Sequence, residues 1–244
     1  MNLLLVEPDE VSSDGTALLR GRRVKHAREV LAASAGDSLR VGLRDGRLGT
    51  ATVLSLSPEA LHLAITLGEA PPPRAEIDLL LAIPRPKALK KVLPAVASLG
   101  VDRIFLVNAA RVEKSYFDSK VLAGEFVQEL LSQGLEQARD TVAPRVELRE
   151  RFRPFVEDEV RALAPGATCL LAHPTSAARL QDVAPKTGRT LLAIGPEGGW
   201  VPFEVELLEK AGFQGFSLGP RILRVEVAVP FLLGSLAALR GSQA

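Results

Sequence analysis

A glycine-rich segment at 194–200, IGPEGGW, follows an apolar run and precedes a predicted helix that starts near Pro202. Glycines at the end of a buried strand let main-chain N–H and C=O groups approach a ligand, because no Cβ is in the way. The segment matches neither G-x-G-x-x-G nor G-x-x-x-x-G-K-[ST], so it does not indicate a dinucleotide or P-loop phosphate site. The spacing alone equally allows a tight strand-to-helix connection without a ligand.

A second glycine turn at 217–226, SLGPRILRVE, follows a predicted short strand at 213–217 and leads into the last helix. Turns after consecutive strands would lie side by side at one sheet edge, which predicts a pocket walled by main chain and by Ile222 and Leu223. Solvated charges are the alternative for Arg221 and Arg224. Cations near a helix N-terminus oppose the helix dipole, however, and this misfit favours a function.

Together these two segments resemble the SPOUT (α/β-knot) RNA methyltransferases, in particular the family that methylates N3 of a uridine in 16S ribosomal RNA. Supporting motifs are GLEQARDTVAP at 134–144, RVEKSYF at 111–117 and LGV at 99–101. Segments 21–31 and 35–46 look like the small N-terminal PUA-like barrel of that family. The resemblance therefore covers nearly the whole chain.

The resemblance implies an α/β fold, a C-terminal trefoil-knotted domain with a parallel sheet, preceded by a PUA-like β-barrel. It also implies a homodimer that binds S-adenosyl-L-methionine in a bent form inside the knot. Knots are rare exceptions to the topology rules, so periodicity could not have indicated one. The cofactor-binding residues implied here are Leu171, Ala172, His173, Ile194, Gly195, Glu197, Gly198, Gly199, Leu218, Gly219, Ile222 and Leu223.

The chemistry implied is methyl transfer, for which the protein must align an already activated sulfonium with N3 of the base. A guanidinium could hold the negative charge that develops on the uracil carbonyls, and Arg224, followed by Arg221, is the candidate. Glu226 and Glu197 are the nearby carboxylates that could act as the base, with Glu226 the catalytic candidate, although a helix-start glutamate can equally be a cap. His173 at a strand end is a further alternative.

Two acid-free stretches, one in each predicted domain, could bind RNA phosphates. Solvated surface faces are the alternative reading. Few aromatic residues are present, nine Phe, one Trp and one Tyr, which favours recognition of folded RNA and a target base that leaves its stack. The candidate RNA-binding residues are Arg20, Arg22, Arg23, Lys25, His26 and Arg28 in the first stretch, and Arg85, Lys87, Lys90 and Lys91 in the second.

The proline-rich segment at 68–73, GEAPPP, predicts a stiff connector between two domains. We therefore expect a PUA-like RNA-binding barrel at 1–72 and a SPOUT methyltransferase domain at 73–244. The first is predicted from strands at 38–43, 49–56 and 60–67. The second is predicted from apolar strands at 77–83, 103–107, 168–172 and 190–194 and from helices at 121–138 and 203–211, an alternation typical of a buried parallel sheet.

Composition sets the remaining limits. The chain has 244 residues, and 30 basic against 29 acidic side chains give a formal charge of +1, so a polyanion must be held by local patches. One cysteine and three histidines make a structural zinc cluster improbable and fit a reducing cytoplasm. No signal peptide or membrane-spanning segment is recognised. We expect no metal and no membrane partner.

Several positions differ from the family pattern. Valine stands at 225 and 227 where threonine is common, alanine at 32 where arginine is common, and Pro94 and Ser98 replace a lysine and a glutamate. A related SPOUT methyltransferase acting on another RNA base is therefore one alternative. The other is a noncatalytic RNA-binding factor of ribosome assembly that keeps the pocket as structure only. A nucleotide-dependent oxidoreductase is opposed by the missing dinucleotide fingerprint.

Overall fold

The computed structural model describes residues 3–241 and separates into two compact units. One unit contains the residues up to Pro73 together with Leu131–Ala143, and the other contains Arg74–Leu130 and the residues from Pro144 onward. The division after Pro73 coincides with the end of the proline-rich segment. The segment Leu131–Ala143 lies far beyond it in sequence and nevertheless packs within the first unit.

The part of the first unit that precedes Arg74 is a mixed sheet with one helix on it. Its elements in the described residues are β1 (Leu4–Val6), β2 (Thr16–Leu19), α1 (Arg22–Glu29), β3 (Ser38–Leu43), β4 (Leu48–Leu56), β5 (Leu61–Glu69) and a 3-10 turn at Pro8–Glu10. The strand order is β1-β3-β4-β5-β2, with β1 parallel to β3 and the other pairs antiparallel. Val24 and Ala27 of α1 belong to the apolar core against which the sheet is packed.

The second unit is built on a fully parallel sheet with the order β11-β9-β10-β6-β7-β8. Its strands are β6 (Ile77–Ala82), β7 (Arg103–Val107), β8 (Arg145–Arg149), β9 (Thr168–Ala172), β10 (Thr190–Ile194) and β11 (Gln214–Phe216). The strands predicted near 77, 103, 168 and 190 are thus confirmed, while β8, whose residues are all exposed or half-buried, was not predicted.

Helices and helical turns connect these strands. They are α2 (Pro86–Ser98), α3 (Gly124–Ala138), α4 (Phe152–Pro154), α5 (Val160–Leu163), α6 (Leu180–Val183), α7 (Pro202–Lys210) and α8 (Val225–Leu239), with a π-helical turn at Phe155–Glu159 and 3-10 turns at Lys114–Tyr116 and Lys120–Leu122. The helix predicted from 121 begins at Gly124, because a 3-10 turn precedes it. None of the helices in residues 3–241 is long and apolar enough to cross a lipid bilayer.

The central strands explain why this sheet forms. Every residue of β6 and of β10 is buried, as expected when helices cover both faces of a parallel sheet. One buried residue of β6 is charged: the Asp78 carboxylate lies 2.6 Å from the Arg103 guanidinium and 3.1 Å from that of Arg189. This buried charge is paired, as burial requires. The apolar strands and this ion-pair cluster fix the sheet whose carboxyl edge holds the site.

Candidate functional site

A cavity of about 320 Å³ lies at the carboxyl ends of β9, β10 and β11. The loop that follows each of these strands contributes to its wall, and the start of α8 closes one side. All of the predicted cofactor-binding residues line it except Leu171, which is fully buried within β9. The lining residues among those predicted are Ala172, His173, Ile194, Gly195, Glu197, Gly198, Gly199, Leu218, Gly219, Ile222 and Leu223.

The turn after β10 needs its glycines for two different reasons. Gly199 has a φ of +71°, a conformation that L side chains rarely adopt, and its N–H donates to the Pro196 carbonyl at 2.8 Å. A Cβ on Gly195 would lie 3.1 Å from the Trp200 indole. Trp200 is 4% exposed, stacks at 5.4 Å on Phe152 and also lines the cavity. It is therefore both part of the core and a wall of the site.

The turn after β11 forms the opposite wall. Gly219 has a φ of +102°, and its N–H donates to the Ser217 hydroxyl at 3.1 Å. The following Ile222 is 87% exposed, although it lines the cavity. The turn thus presents an apolar side chain at the mouth of the cavity with little protein covering it.

The three predicted catalytic residues differ in their position relative to the cavity. Arg221 lines the cavity. Arg224 is exposed at the residue preceding α8, and neither it nor Glu226 is among the residues that line the cavity. The Oε2 atom of Glu226 is buried and, within residues 3–241, has no hydrogen-bond partner. The geometry therefore brings only Arg221 of these three to the cavity wall.

His173 lies at the end of β9. Its N–H donates to the Phe216 carbonyl at 2.9 Å, which joins the loop after β9 to β11. Its Nδ1 lies 3.0 Å from the Thr175 hydroxyl. The ring thus combines a position in the cavity wall with a local hydrogen bond.

Arg111 was missed as a site residue, although the motif at 111–117 was noticed. It follows β7, lines the cavity and donates from Nη1 to the Gly198 carbonyl. A Cβ on Gly198 would lie 2.9 Å from Arg111 Cδ, so this glycine makes room for the arginine stem. The neighbouring Tyr116 has a raised pKa, caused by desolvation, by its hydrogen bond to Glu113 and by the negative charge of Glu197. The motif therefore belongs to the same site.

Glu197 joins the cavity to the end of β6. Its Oε1 accepts from the Arg85 main-chain N–H at 3.0 Å and from Arg85 Nε at 3.3 Å. Arg85 immediately precedes α2, so the carboxylate fixes the strand-to-helix connection as well as neutralising the guanidinium. A cation that was predicted to bind RNA is thus paired with a residue that was predicted to bind cofactor.

The remaining basic residues after β6 lie on α2. Lys87, Lys90 and Lys91 are exposed, and the Lys90 ammonium lies 5.1 Å from the centre of the Phe126 ring. Because these positions are three and four residues apart, they lie on one side of the helix. This part of the second predicted basic stretch is a surface of positive charge.

The first predicted basic stretch divides into exposed and internal residues. Arg22 forms an ion pair at 2.6 Å with Glu136, whose side chain is fully buried, and Arg23 pairs with Glu10. These two charges hold the first unit together, so they contribute less to binding a polyanion than their sequence suggests. Exposed positions are Arg20, Lys25 and Arg28, the last two near Glu29, whereas His26 is half-buried.

Comparisons with known proteins agree with this arrangement. Residues 71–237 match the family model described as an RNA methyltransferase domain. A relative from Treponema pallidum, ribosomal RNA small subunit methyltransferase E, is 32% identical over 93% of this chain and 87% of its own length. A protein of the same name from Mycobacterium bovis is 27% identical over 91% of this chain and 86% of its own length.

A solved structure supports the fold. Ribosomal RNA small subunit methyltransferase E from Neisseria gonorrhoeae, bound to S-adenosyl methionine, aligns with a TM-score of 0.79 and 24% identity over 98% of each chain. The match to the family model and the identity with the Treponema relative confirm the resemblance that the glycine motifs indicated. This chain belongs to the RNA methyltransferase domain family and, within it, to the family of ribosomal RNA small subunit methyltransferase E.

Proposed function

We propose that this protein methylates N3 of a uridine in the 16S ribosomal RNA of the small subunit, with S-adenosyl-L-methionine as the methyl donor. The observation that carries the proposal is the cavity formed by the loops after β9, β10 and β11. Relatives that span most of the chain are named ribosomal RNA small subunit methyltransferases. The structural relative from Neisseria is described as bound to S-adenosyl methionine.

The residues present fit this cofactor. A volume of about 320 Å³ is within the range of about 300–1,000 Å³ usual for small-molecule sites. Gly195, Gly198, Gly199 and Gly219 place main chain without a side chain along the walls, and Ile222 and Leu223 offer apolar surface. Such a combination suits an adenosine, which needs apolar contact for its ring and hydrogen bonds for its edges.

The donor supplies a methyl group on a positively charged sulfur, so the new N3–C bond forms as the C–S bond breaks and its electrons return to sulfur. The protein has to position the base and to favour loss of the N3 proton, which leaves for solvent. The sequence favours Arg224, followed by Arg221, to interact with the base, and Glu226 to act as the proton acceptor. Of these three only Arg221 lines the cavity, whereas Arg224 precedes α8 and Glu226 lies in its first turn. The exposed lysines of α2 and the cations Arg20, Lys25 and Arg28 would bind RNA phosphates.

We also propose a trefoil knot in the second unit and a PUA-like fold for the first domain, 1–72. A trefoil knot in the second unit is supported by the strand order, since β11 pairs with β9 rather than with the preceding strand β10. Arg240, just after α8, donates to the carbonyls of Ala75 and Gly188, so the C-terminal end of α8 is held by earlier segments. The PUA-like assignment of the first domain, 1–72, is supported by its mixed sheet with α1 against the core.

A homodimer is supported by the outer face of α8. Val227 is 48% and Phe231 53% exposed, and they lie one helical turn apart on a helix that is apolar on its buried side as well. Neighbouring exposed apolar side chains on one helix face are suited to a contact with another protein. We expect Phe231→Glu to convert a dimer into a monomer in light scattering, while a wild-type monomer would contradict this part of the proposal.

Methyl transfer to isolated small subunits tests the function. Subunits from a strain that lacks the endogenous enzyme would be incubated with the protein and labelled donor, and the modified nucleotide would be identified by mass spectrometry. A single new methyl on N3 of one uridine is expected. A methyl on another base would favour the related methyltransferase, and donor binding or subunit binding without transfer would favour a noncatalytic assembly factor.

We expect a cytoplasmic protein without a metal, since ribosomal subunits are its substrate and the chemistry needs no metal ion.

A further inference from the structure

Two exposed arginines line the cavity, and they differ in how they are held. Arg221 lies in the turn after β11, and no hydrogen bond within residues 3–241 fixes its guanidinium. Arg111 is fixed, because its Nη1 donates to the Gly198 carbonyl. A guanidinium carries five N–H donors, so most of those of Arg111 stay available to a ligand.

The charge of Arg111 is also uncompensated. Within the described part of the chain no carboxylate lies within ion-pair distance of it, whereas Arg85 nearby is paired with Glu197 at 3.3 Å. Two arginines therefore contact the glycine turn. The charge of Arg85 is neutralised by Glu197, whereas Arg111 is held by the Gly198 carbonyl and its charge is uncompensated. Fixed dipoles and charges of this kind stabilise a developing charge more than mobile ones, because they need no reorganisation during the reaction.

Arg111 lines the cavity but comes from a different part of the sheet than the other lining residues. Those come from the loops after β9, β10 and β11 and from α8, toward the β11 edge of the sheet. Arg111 comes from the loop after β7, on the other side of β10 and β6. The exposed lysines of α2 follow β6 on this same side. The substrate RNA would therefore approach from the side on which Arg111 lies.

We infer that Arg111 contacts the target uracil and stabilises the negative charge that forms on its carbonyl oxygens as N3 loses its proton. This inference rests on the proposed function and assigns to Arg111 the role for which sequence analysis had favoured Arg224. The N3 proton leaves for solvent, and the electron pair that remains on N3 forms the bond to the methyl carbon. The guanidinium takes no part in bond making and acts by charge and hydrogen bonding.

Single-turnover methyl transfer at saturating donor and small subunits, measured across a range of pH, tests this role. We expect Arg111→Ala to lower the rate about 10²-fold, the effect of removing one such donor in other enzymes. Its pH–rate profile should move to higher pH, since the bound base loses its proton less easily. The other ionisable residues that line the cavity, His173, Glu197 and Arg221, are present in the wild type and in Arg111→Ala alike. Arg111→Lys keeps a charge without the planar fork, and its rate should fall between those of the wild type and Arg111→Ala.

Chemical rescue and binding measurements provide readouts besides the rate. Added guanidinium ion at low, non-denaturing concentration should restore part of the activity of Arg111→Ala. It should not accelerate Arg145→Ala, which removes an exposed arginine at the start of β8, the opposite end of the sheet. The Kd for the donor should change less than threefold in Arg111→Ala.

Three results would overturn the inference while the wild type still methylates. A large rise in the donor Kd would make Arg111 a cofactor ligand. A shallower salt dependence of RNA binding by about one unit, without a pH shift, would make it a phosphate contact. An unchanged rate would remove it from the site. A wild-type protein that transfers no methyl group would instead contradict the proposed function, so the two failures are distinguishable.

Discussion

The contact between Arg111 and Gly198 leads to a prediction about coupled substitutions. An alanine Cβ at 198 would lie 2.9 Å from Arg111 Cδ, 3.3 Å from its Cβ and 3.6 Å from its Cγ. The main chain of Gly198 is not in the left-handed region, so alanine is compatible with it. The arginine side chain is exposed, so it has room to move, and we expect the added Cβ to displace it and break its hydrogen bond to the Gly198 carbonyl.

The magnitudes follow from that displacement. One lost hydrogen bond is worth about 0.5–1.5 kcal/mol, so Gly198→Ala should lower the free energy of unfolding by only about 1 kcal/mol. Its effect on methyl transfer should be larger, about tenfold or more, because the guanidinium leaves its position. In the Arg111→Ala background the atoms at 2.9 and 3.6 Å are absent. There the same alanine should add almost nothing to the roughly 10²-fold loss caused by Arg111→Ala.

A double-mutant cycle measures this coupling. Single-turnover rates of the wild type, both single variants and the double variant are compared at saturating donor, after the donor Kd of each protein has been determined. Urea unfolding of the four proteins supplies the stabilities. Losses that multiply in the double variant, within about 0.5 kcal/mol of additivity, would refute the reasoning that Gly198 acts through Arg111.

Three further predictions concern stability and binding. Asp78→Asn should lower the free energy of unfolding by about 3 kcal/mol, because the buried carboxylate pairs with Arg103 and Arg189, and a loss below 1 kcal/mol in urea unfolding would contradict this. Trp200 is the one tryptophan of the chain and lines the cavity, so its fluorescence should change on donor binding; a constant signal while calorimetry shows binding would be against it. Burial raises the pKa of Glu136 despite its ion pair with Arg22. The contribution of Glu136 to stability is therefore present below the ordinary carboxylate pKa and is lost as the pH rises through the higher pKa of the folded state. Glu136→Gln should flatten this decline of the unfolding free energy with pH in urea unfolding, and an unchanged pH dependence would exclude Glu136 as its origin.

The parts of the fold that sequence predicted are those determined by local pattern. Strands β6, β7, β9 and β10 are short apolar runs bounded by turn residues, and the sheet buries them as such runs require. The glycine turns after β10 and β11 were recognisable because glycine is needed where φ is positive, as at Gly199 and Gly219. The strand β8 was missed because it lies at the sheet edge, where each of its residues is exposed or half-buried, and it therefore has no continuous apolar run.

What sequence could not predict depends on contacts between distant residues. Arg22 looked like part of an RNA-binding strip, but its partner Glu136 is 114 residues away. The amphipathic period of α3 predicts a helix and not the unit in which each half packs, yet Leu131–Ala143 belongs to the first unit. A count of charges along the chain does not include ion pairs between residues distant in sequence, so it overestimates the exposed positive surface.

The omission of Arg111 has the same physical origin and shows where the site depends on topology. In the order β11-β9-β10-β6-β7-β8, the strands β10 and β6 are neighbours. After β6 the chain continues to β7, toward one edge of the sheet, and after β10 it continues to β11, at the other edge. Ligands bind at such a point in open α/β sheets, because the loops diverge and leave a crevice between them. The cavity is lined mainly by loops on the β10 side of this point. Arg111, which is 87 residues from Gly198 in sequence, reaches the cavity from the β6 side. A motif search limited to glycine turns therefore finds most of the cavity wall and misses Arg111, the cation that we propose to face the substrate.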